Sequence, residues 1–283
     1  MTFESKTSNY EIGIVTDSTA YLSQELIEQH KLSVVPVQVI IDGEAFSDST
    51  DLLTSKVIPA LRSNQTVTTA RPSVQTFVEI YQAQVSAGAK SILSIHLSSE
   101  LSGTYESAVL AARQMNVPVT VVDSRGVAGF LQLVVLNAVR LRSQGLEISE
   151  IENVLTKQCA RIKMYFYVDT LEFLERGGRL SAFKSKVGQF LTVKPILKMQ
   201  DGKVELQELV RSETKALNRI IDLACDQGTA HTFLINHIAS PDRALLISEA
   251  ISDELKIEPI NIVTAGAVVG AHVGPGTVAV VID

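Results

Sequence analysis

Cysteine is nearly absent from this chain: Cys159 and Cys225 are the only two in 283 residues. Two thiols are too few for a disulfide framework or a cysteine metal cluster, and each falls in a helical pattern as a reduced core residue. An excess of basic charge is missing too. Lys and Arg number 25 against 31 Asp and Glu, a formal net charge of −6, so no global positive field is present to hold nucleic acid. No apolar run reaches the roughly 18 residues of a membrane span. The opening "MTFESKTSNYE" is polar, unlike a signal peptide, and reads as a frayed lead-in. A cytoplasmic protein is expected. The five histidines form no H-E-x-x-H pair, so no metal is expected. P-loop, Gly-x-Gly-x-x-Gly and G-x-S-x-G signatures are absent, and no long repeat or low-complexity tract occurs.

What is present is apolar material in two textures. Hydrophobic residues make up 46% of the chain, and the length suggests about two domains. In the first half, strand-like runs alternate with helical ones. "IGIVT" precedes a helical "DSTAYLSQELIEQH", and "LSVVPVQVII" is one β-branched run ending at the turn dipeptide Asp42-Gly43. "LLTSKVIPALRS" is helical with a proline defect, and Ser73 caps the next helix. "SILSIHL" and "VPVTVVD" are strands, and "GVAGFLQLVVLNAVRLRSQG" is a buried helix closed by Gly145. Buried strands separated by helices imply a parallel sheet. The second half opens with a capping box, Ser149 with Glu152. "LEFLERGGRLSAFKSKVGQFL" reads as two short helices broken at Gly177-Gly178. Asp201-Gly202 joins two strands as a hairpin. The expected fold is therefore α/β with two domains: a parallel-sheet α/β domain over 1–160 and an α+β domain over 161–283.

Hydroxyls crowd three turns that fall at or near the carboxyl ends of the expected strands, where open parallel sheets bind ligands. They are Thr16 to Thr19, Thr68-Thr69 in "VTTARPS", and Ser98, Ser99, Ser102 and Thr104 around Gly103. Asp17 reads as structural, while for Thr16 to Thr19 helix capping and ligand binding stand as equal alternatives. The third cluster stands where a strand hands over to a helix. The free N–H groups there, with Gly103 allowing close approach, make a candidate anion cradle. His272 sits in the glycine-rich "GAHVGPG", read as a turn before the last strand. Arg176, Arg179, Lys184 and Lys186 form the one basic cluster, a solvated face or a contact for phosphate or an acidic partner.

Together "TDSTAYL", "TTARPS", "SSELSGTYESA", "VDS" before a helix, "LEFLERGGRLS", "KPIL" and the terminal "HVGPG" resemble the DegV family, from about Ile12 to Asp283. The resemblance implies a fatty acid buried between the two domains, such as a C16 or C18 acid, and no other cofactor. It also implies a non-enzymatic role: the bacterial protein presents its acid to a separate fatty acid kinase, whose acyl phosphate feeds phospholipid synthesis. Transient membrane contact for lipid exchange would go with that role. The family's carboxylate contacts map onto Thr68 or Thr69, onto Ser99 helped by Ser98, Ser102, Gly103 and Thr104, and onto His272. Arg179, with Arg176 beside it, maps onto the kinase or phosphoryl contact. The chain departs from the family's Thr-Ser-Gln-Pro-Ser at Ala70 and Arg71, which removes a hydroxyl and adds a charge near the expected mouth. Two other readings stand beside this one. One is a serine esterase or acyltransferase using Ser99 or Ser102 with His272, although no elbow and no acid partner are evident. The other is a sugar-phosphate or nucleotide binder at the same cradle. The apolar helices "GVAGFLQLVVLNAV" and "SKVGQFLTV" are candidate tunnel walls.

Overall fold

The computed structural model describes residues 11–180, 193–229 and 231–283. The N-terminal lead-in, the expected second helix after Gly177-Gly178 and its Lys184 and Lys186 lie outside the described residues.

Four parallel strands form the first sheet: β1 (Ile12–Asp17), β2 (Ser33–Val35), β6 (Ser91–His96) and β7 (Val119–Asp123), ordered β2-β1-β6-β7. Helix α1 (Gln24–His30) links the first two strands, capped by Ser23. Side chains alternate along β6. Ile92 faces α4 (Val74–Ser86) and α5 (Thr104–Ala112) through Phe77, Tyr81 and Ala108, whereas Leu93 and Ile95 face the opposite way, toward α6 (Gly129–Ser143).

A single proline redirects the chain. "LSVVPVQVII" is not one strand. Pro36 has no N–H for a ladder, and the run divides into β2 and β3 (Gln38–Ile41), which belong to different sheets. With β4 (Glu44–Ser47) and β5 (Val67–Ala70), β3 makes a three-stranded antiparallel sheet, β4-β3-β5. Thr68 and Thr69 therefore sit on an antiparallel strand, not at the end of the parallel sheet. Between β4 and β5, α2 (Thr50–Leu52) runs through a π turn at Leu53–Val57 into α3 (Ile58–Arg62). Pro59 falls in the first turn of α3, directly after the π turn.

The helix α7 (Ile148–Arg161) starts earlier than its expected cap: Glu150 reaches back to the Glu147 N–H at 3.0 Å, in place of a box at Ser149 and Glu152. After it come β8 (Lys163–Tyr167), α8 (Glu172–Arg176), β9 (Lys194–Gln200), β10 (Lys203–Val210), α9 (Glu213–Cys225), β11 (Phe233–His237), α10 (Pro241–Leu255), β12 (Asn261–Thr264), α11 (Ala267–Val273) and β13 (Val278–Ile282). Their strands build a six-stranded sheet ordered β10-β9-β8-β13-β11-β12, antiparallel except for β11 with β12. Asp201 and Gly202 both take positive φ at the β9–β10 turn, as the twist of a tight hairpin requires. Tyr167, Val278, Val280 and Ile235 pack outward on α9 and α10. Met164, Phe166, Ala279 and Val281 pack inward, onto the core shared with α6. The molecule is thus a parallel-sheet domain and a second sheet-plus-helix domain, whose inner faces meet in one apolar core.

Candidate functional site

Within that shared core lies an apolar cavity of about 840 Å³, its open mouth included. Val37 just before β3, Leu97 and Leu101 after β6, Phe166 and Met199 from the six-stranded sheet, and Val268 from α11 contribute to its walls. Thr69, Ser102, Arg179 and His272 add one group of polar side chains, and Asn236, His237 and Thr277 are the other polar residues of the lining. A second, solvent-facing groove meets the cavity there and carries Thr68, Arg176, Arg179 and His272.

His272 lies in α11, not in a turn; the turn follows it, at Gly274 (φ +76°). The position of α11 is fixed from the other domain. Its free N-terminal amides donate to the Ser49 carbonyl (3.2 Å), to Asp48 Oδ1 (2.9 Å) and to the Tyr21 hydroxyl (3.2 Å). Burial pushes the Asp48 carboxyl up to about 6. At its other end His272 rests against the backbone of Gly177: a Cβ there would lie 2.3 Å from His272 Nδ1.

His272 Nε2 is 2.8 Å from Thr69 Oγ1, whereas Nδ1 is buried with no partner among the described residues. Burial, aided by the Arg179 charge, lowers the imidazole pKa to about 4, so the ring is neutral at neutral pH. An orphaned N–H is rarer in proteins than an under-used acceptor. The proton therefore belongs on Nε2, donating to Thr69, and the Thr69 hydroxyl keeps its own hydrogen to donate elsewhere. Arg179 follows Gly178 (φ +70°) and donates from Nε to the Leu101 carbonyl (3.0 Å) and from Nη1 to Gly177 (2.5 Å). Burial lowers its pKa, but a guanidinium stays charged.

The other expected site residues are spread around this group. Alternation along β5 puts Thr69 on the cavity and Thr68 on the outer groove. Ser102 lines the cavity, its hydroxyl 2.9 Å from that of Thr104. Thr104 and Gly103 do not line it. Gly103 instead makes room for Arg71, whose Nη1 would lie 2.6 Å from a Cβ there. Ser98 donates to the Gly202 carbonyl (2.7 Å) and so ties down the β9–β10 turn. Ser99 donates to Asp123 (2.6 Å). Arg176 pairs with Glu172 on the exposed face of α8. The cluster around Gly103 thus divides its labour: one hydroxyl reaches the cavity, and two brace neighbouring loops.

Sequence reasoning passed over a buried chain of polar groups. Tyr81 donates to Ser94 (2.8 Å), Ser94 meets His96 Nε2 (2.6 Å), and His96 Nδ1 meets Asp17 (3.0 Å). Asp17 also accepts from the Leu97 and Thr19 amides. This has the order of a Ser-His-Asp triad, yet Ser94, His96 and Asp17 are each 0% exposed, and Ser94 already accepts from Tyr81. Every link is satisfied internally, so the chain acts as a brace between β1, β6 and α4. Only the fold brings its members together; the spacing of residues 17, 81, 94 and 96 carries no signal. Among the described residues no group of three or more His, Cys, Asp or Glu could hold a metal, and no helix is long and apolar enough to cross a membrane.

Comparison with known proteins agrees with this architecture. A DegV domain-containing protein of Streptomyces coelicolor is 39% identical over 275 residues, covering 96% of this chain and 98% of the relative. The structure of a fatty-acid-binding DegV family protein from Thermus thermophilus superposes with a TM-score of 0.90 at 30% identity, covering 96% of this chain and 99% of the other. DegV of Bacillus subtilis, a fatty acid binding protein, superposes with a TM-score of 0.87 at 30% identity, with 96% and 98% covered. Residues 11–283 match the family described as uncharacterised protein, DegV family. With that match over the whole described length, the chain belongs to the DegV family.

Proposed function

We propose that this protein binds one long-chain fatty acid in the cavity and presents its carboxylate to a separate fatty acid kinase, in the cytoplasm of a bacterial cell. The observation that carries the reading is the cavity itself: its walls are mostly apolar, Thr69, Arg179 and His272 stand together with Ser102 nearby, and Asn236, His237 and Thr277 are the other polar residues of the lining. The Thr69 hydroxyl, held as a donor by neutral His272, and the remaining N–H groups of Arg179 would hold the carboxylate there. The tail supplies the affinity. Each buried CH₂ gains roughly 0.8 kcal/mol, so ~14 of them give on the order of 11 kcal/mol before the costs of ordering. Hydrogen bonds at the head fix orientation more than they add affinity.

The outer groove suits a phosphoryl donor brought by a kinase. Arg176 and Arg179 face it together with His272. The exposed Arg176–Glu172 pair is worth little and exchanges readily for a phosphate. The division of the chain near Arg161, between α7 and β8, belongs to the same proposal: the acid would lie between the domains on either side. The carrier role rests on what His272 lacks as a base. Its Nε2 meets Thr69 rather than Ser99 or Ser102, its Nδ1 has no carboxylate, and Ser99 is bonded to Asp123. Transient contact with a membrane would load the acid.

Native mass spectrometry of the purified protein, followed by lipid extraction, tests the reading. One fatty acid per chain is the expected result. A chain that is empty and takes up no C14, C16 or C18 acid overturns it.

A further inference from the structure

Arg71 is an exposed cation that lies against the turn supplying Ser102 to the cavity. Its backbone stands just past β5 and just before Pro72, which keeps residue 71 extended. Two residues on from Thr69, it falls on the same side of the chain as Thr69, the side that meets the cavity. Arg71 Nη1 is 3.4 Å from the Gly103 carbonyl, and a Cβ on Gly103 would fall 2.6 Å from Nη1 and 2.8 Å from Cδ. Gly103 has φ −71°, which any residue adopts, so contact with Arg71 favours glycine there and conformation does not.

A second guanidinium stands on the other side of the same hydroxyl. Arg179 donates to the Leu101 carbonyl (3.0 Å), so the two arginines address the carbonyls before and after Ser102. Among the described residues neither is paired with a carboxylate; their bonds go to backbone oxygens. Arg176, Arg219 and Arg243, by contrast, each face a glutamate. Two uncompensated positive charges therefore flank one hydroxyl, in a chain whose formal net charge is −6. Followed through the backbone, Arg71 Nη1 is no more than about 8 Å from the Ser102 Cα. That is about one screening length at physiological salt, and the mostly apolar lining holds little water to screen the field further.

Resting on the fatty-acid reading, we propose that Arg71 is a specificity-determining residue: its charge, added to that of Arg179, selects lipids with an anionic head group over neutral lipids of the same chain length. Arg71 makes no bond to the ligand and acts through its field. A unit charge at about 10 Å, in surroundings between protein surface and water, favours a bound anion by roughly two- to fifteenfold.

The test loads wild type, Arg71→Gln and Arg71→Lys with a C16 acid and the C16 alcohol in competition at neutral pH. Retained lipid is read by native mass spectrometry and extraction. Arg71 is exposed, so neither variant removes core packing. Each protein is measured at low ionic strength and at about 1 M salt, where the screening length shrinks to about 3 Å. At low salt Arg71→Gln is expected to lower the acid-to-alcohol ratio by roughly two- to fifteenfold, while Arg71→Lys stays close to wild type. At high salt the three proteins are expected to converge. An unchanged ratio in Arg71→Gln overturns the proposal. So does an equal fall in both variants that persists at high salt, which would make Arg71 a packing residue of the Gly103 turn. A wild type that takes up neither lipid fails the fatty-acid reading itself, a result distinct from a loaded wild type whose ratio does not respond to residue 71.

Discussion

Gly177 and His272 are fitted to each other: a Cβ on Gly177 would fall 2.3 Å from His272 Nδ1 and 3.0 Å from Cε1. Gly177 has an ordinary helical φ of −74°, so conformation does not demand glycine there. Contact does. Gly178 is the reverse case, with φ +70° and open space where a Cβ would go. The two neighbours therefore separate two physical causes. Gly177→Ala is expected to push the imidazole off Thr69, to cost about 1–3 kcal/mol by overpacking, and to weaken retention of an acid relative to the matching alcohol. Gly178→Ala is expected to cost about 1 kcal/mol through backbone strain and to leave that ratio unchanged. Thermal unfolding together with a ligand competition assay distinguishes them.

The pH dependence has two opposing sources, one at each end of the short helix α11. His272 is held near 4, below its ordinary 6.5, by burial and the Arg179 charge. Its contribution is present above pH 6.5 and is lost as pH falls through 4, because only the unfolded chain takes up the proton in between. Asp48, at the other end of α11, is raised to about 6 by burial. Its contribution is present below pH 3.8 and is lost as pH rises through 6, because the folded state resists ionising it. Each amounts to about 3 kcal/mol, so across pH 4–6 they largely cancel. Measured by denaturant unfolding as a difference from wild type, His272→Gln tilts the profile toward acid stability and Asp48→Asn toward neutral stability. Parallel profiles for all three proteins would contradict the assignment.

How far the fold could be read ahead depended on how local its causes are. Asp42-Gly43 and Asp201-Gly202 were legible as turns, because two adjacent residues set the geometry and both pairs take positive φ. Pro36 is also a local cause, but its effect, sending β2 and β3 to different sheets, is decided by partners far along the chain. The site shows the same limit. Thr69, Ser102, Arg179 and His272 come from four separated segments, and the sequence marks them as hydroxyl-rich or glycine-rich without saying which of Ser98, Ser99 and Ser102 turns inward.

Thr69 and Ser99 are expected to give different outcomes although both are hydroxyls of the expected site. Thr69→Val keeps the β-branched shape on β5 but removes the oxygen that His272 Nε2 meets. It leaves a buried N–H unpaired, a cost of about 1–3 kcal/mol in stability, and removes a donor to a charged head group. Preference for an acid over its methyl ester is expected to fall about tenfold or more. Ser99→Ala breaks a bond to Asp123 that holds the turn after β6. It is expected to lower stability and leave the acid-to-ester preference within about twofold. Isothermal calorimetry with both ligands on the two variants checks this, and equal losses of preference would mean that Ser99 also reaches the carboxylate.

Ala128 stands where α6 meets the six-stranded sheet. It precedes α6 with φ 56° and ψ −128°, a region that a residue with a Cβ avoids, and it lines the cavity. The conformation is held by its neighbour. The Gly129 N–H donates to Asn236 Oδ1 (2.8 Å) on the six-stranded sheet, and a Cβ at 129 would lie 2.3 Å from that same oxygen. Asn236 thus caps α6 across the domain junction, at the expense of strain one residue earlier. Ala128→Gly removes the strain and keeps the cap, but it also adds freedom to the unfolded chain, a loss of up to about 1 kcal/mol. Strain of about 1–3 kcal/mol exceeds that loss, so the variant is expected to be more stable by about 1 kcal/mol. Asn236→Leu removes the cap and leaves the Gly129 N–H unpaired beside an apolar cavity, and is expected to destabilise by about 1–3 kcal/mol. In the double variant the two effects should fail to add, because without Asn236 nothing holds residue 128 in its strained state. A double-variant cycle by chemical denaturation measures that coupling, and strict additivity would show that Ala128 is held by something other than Asn236.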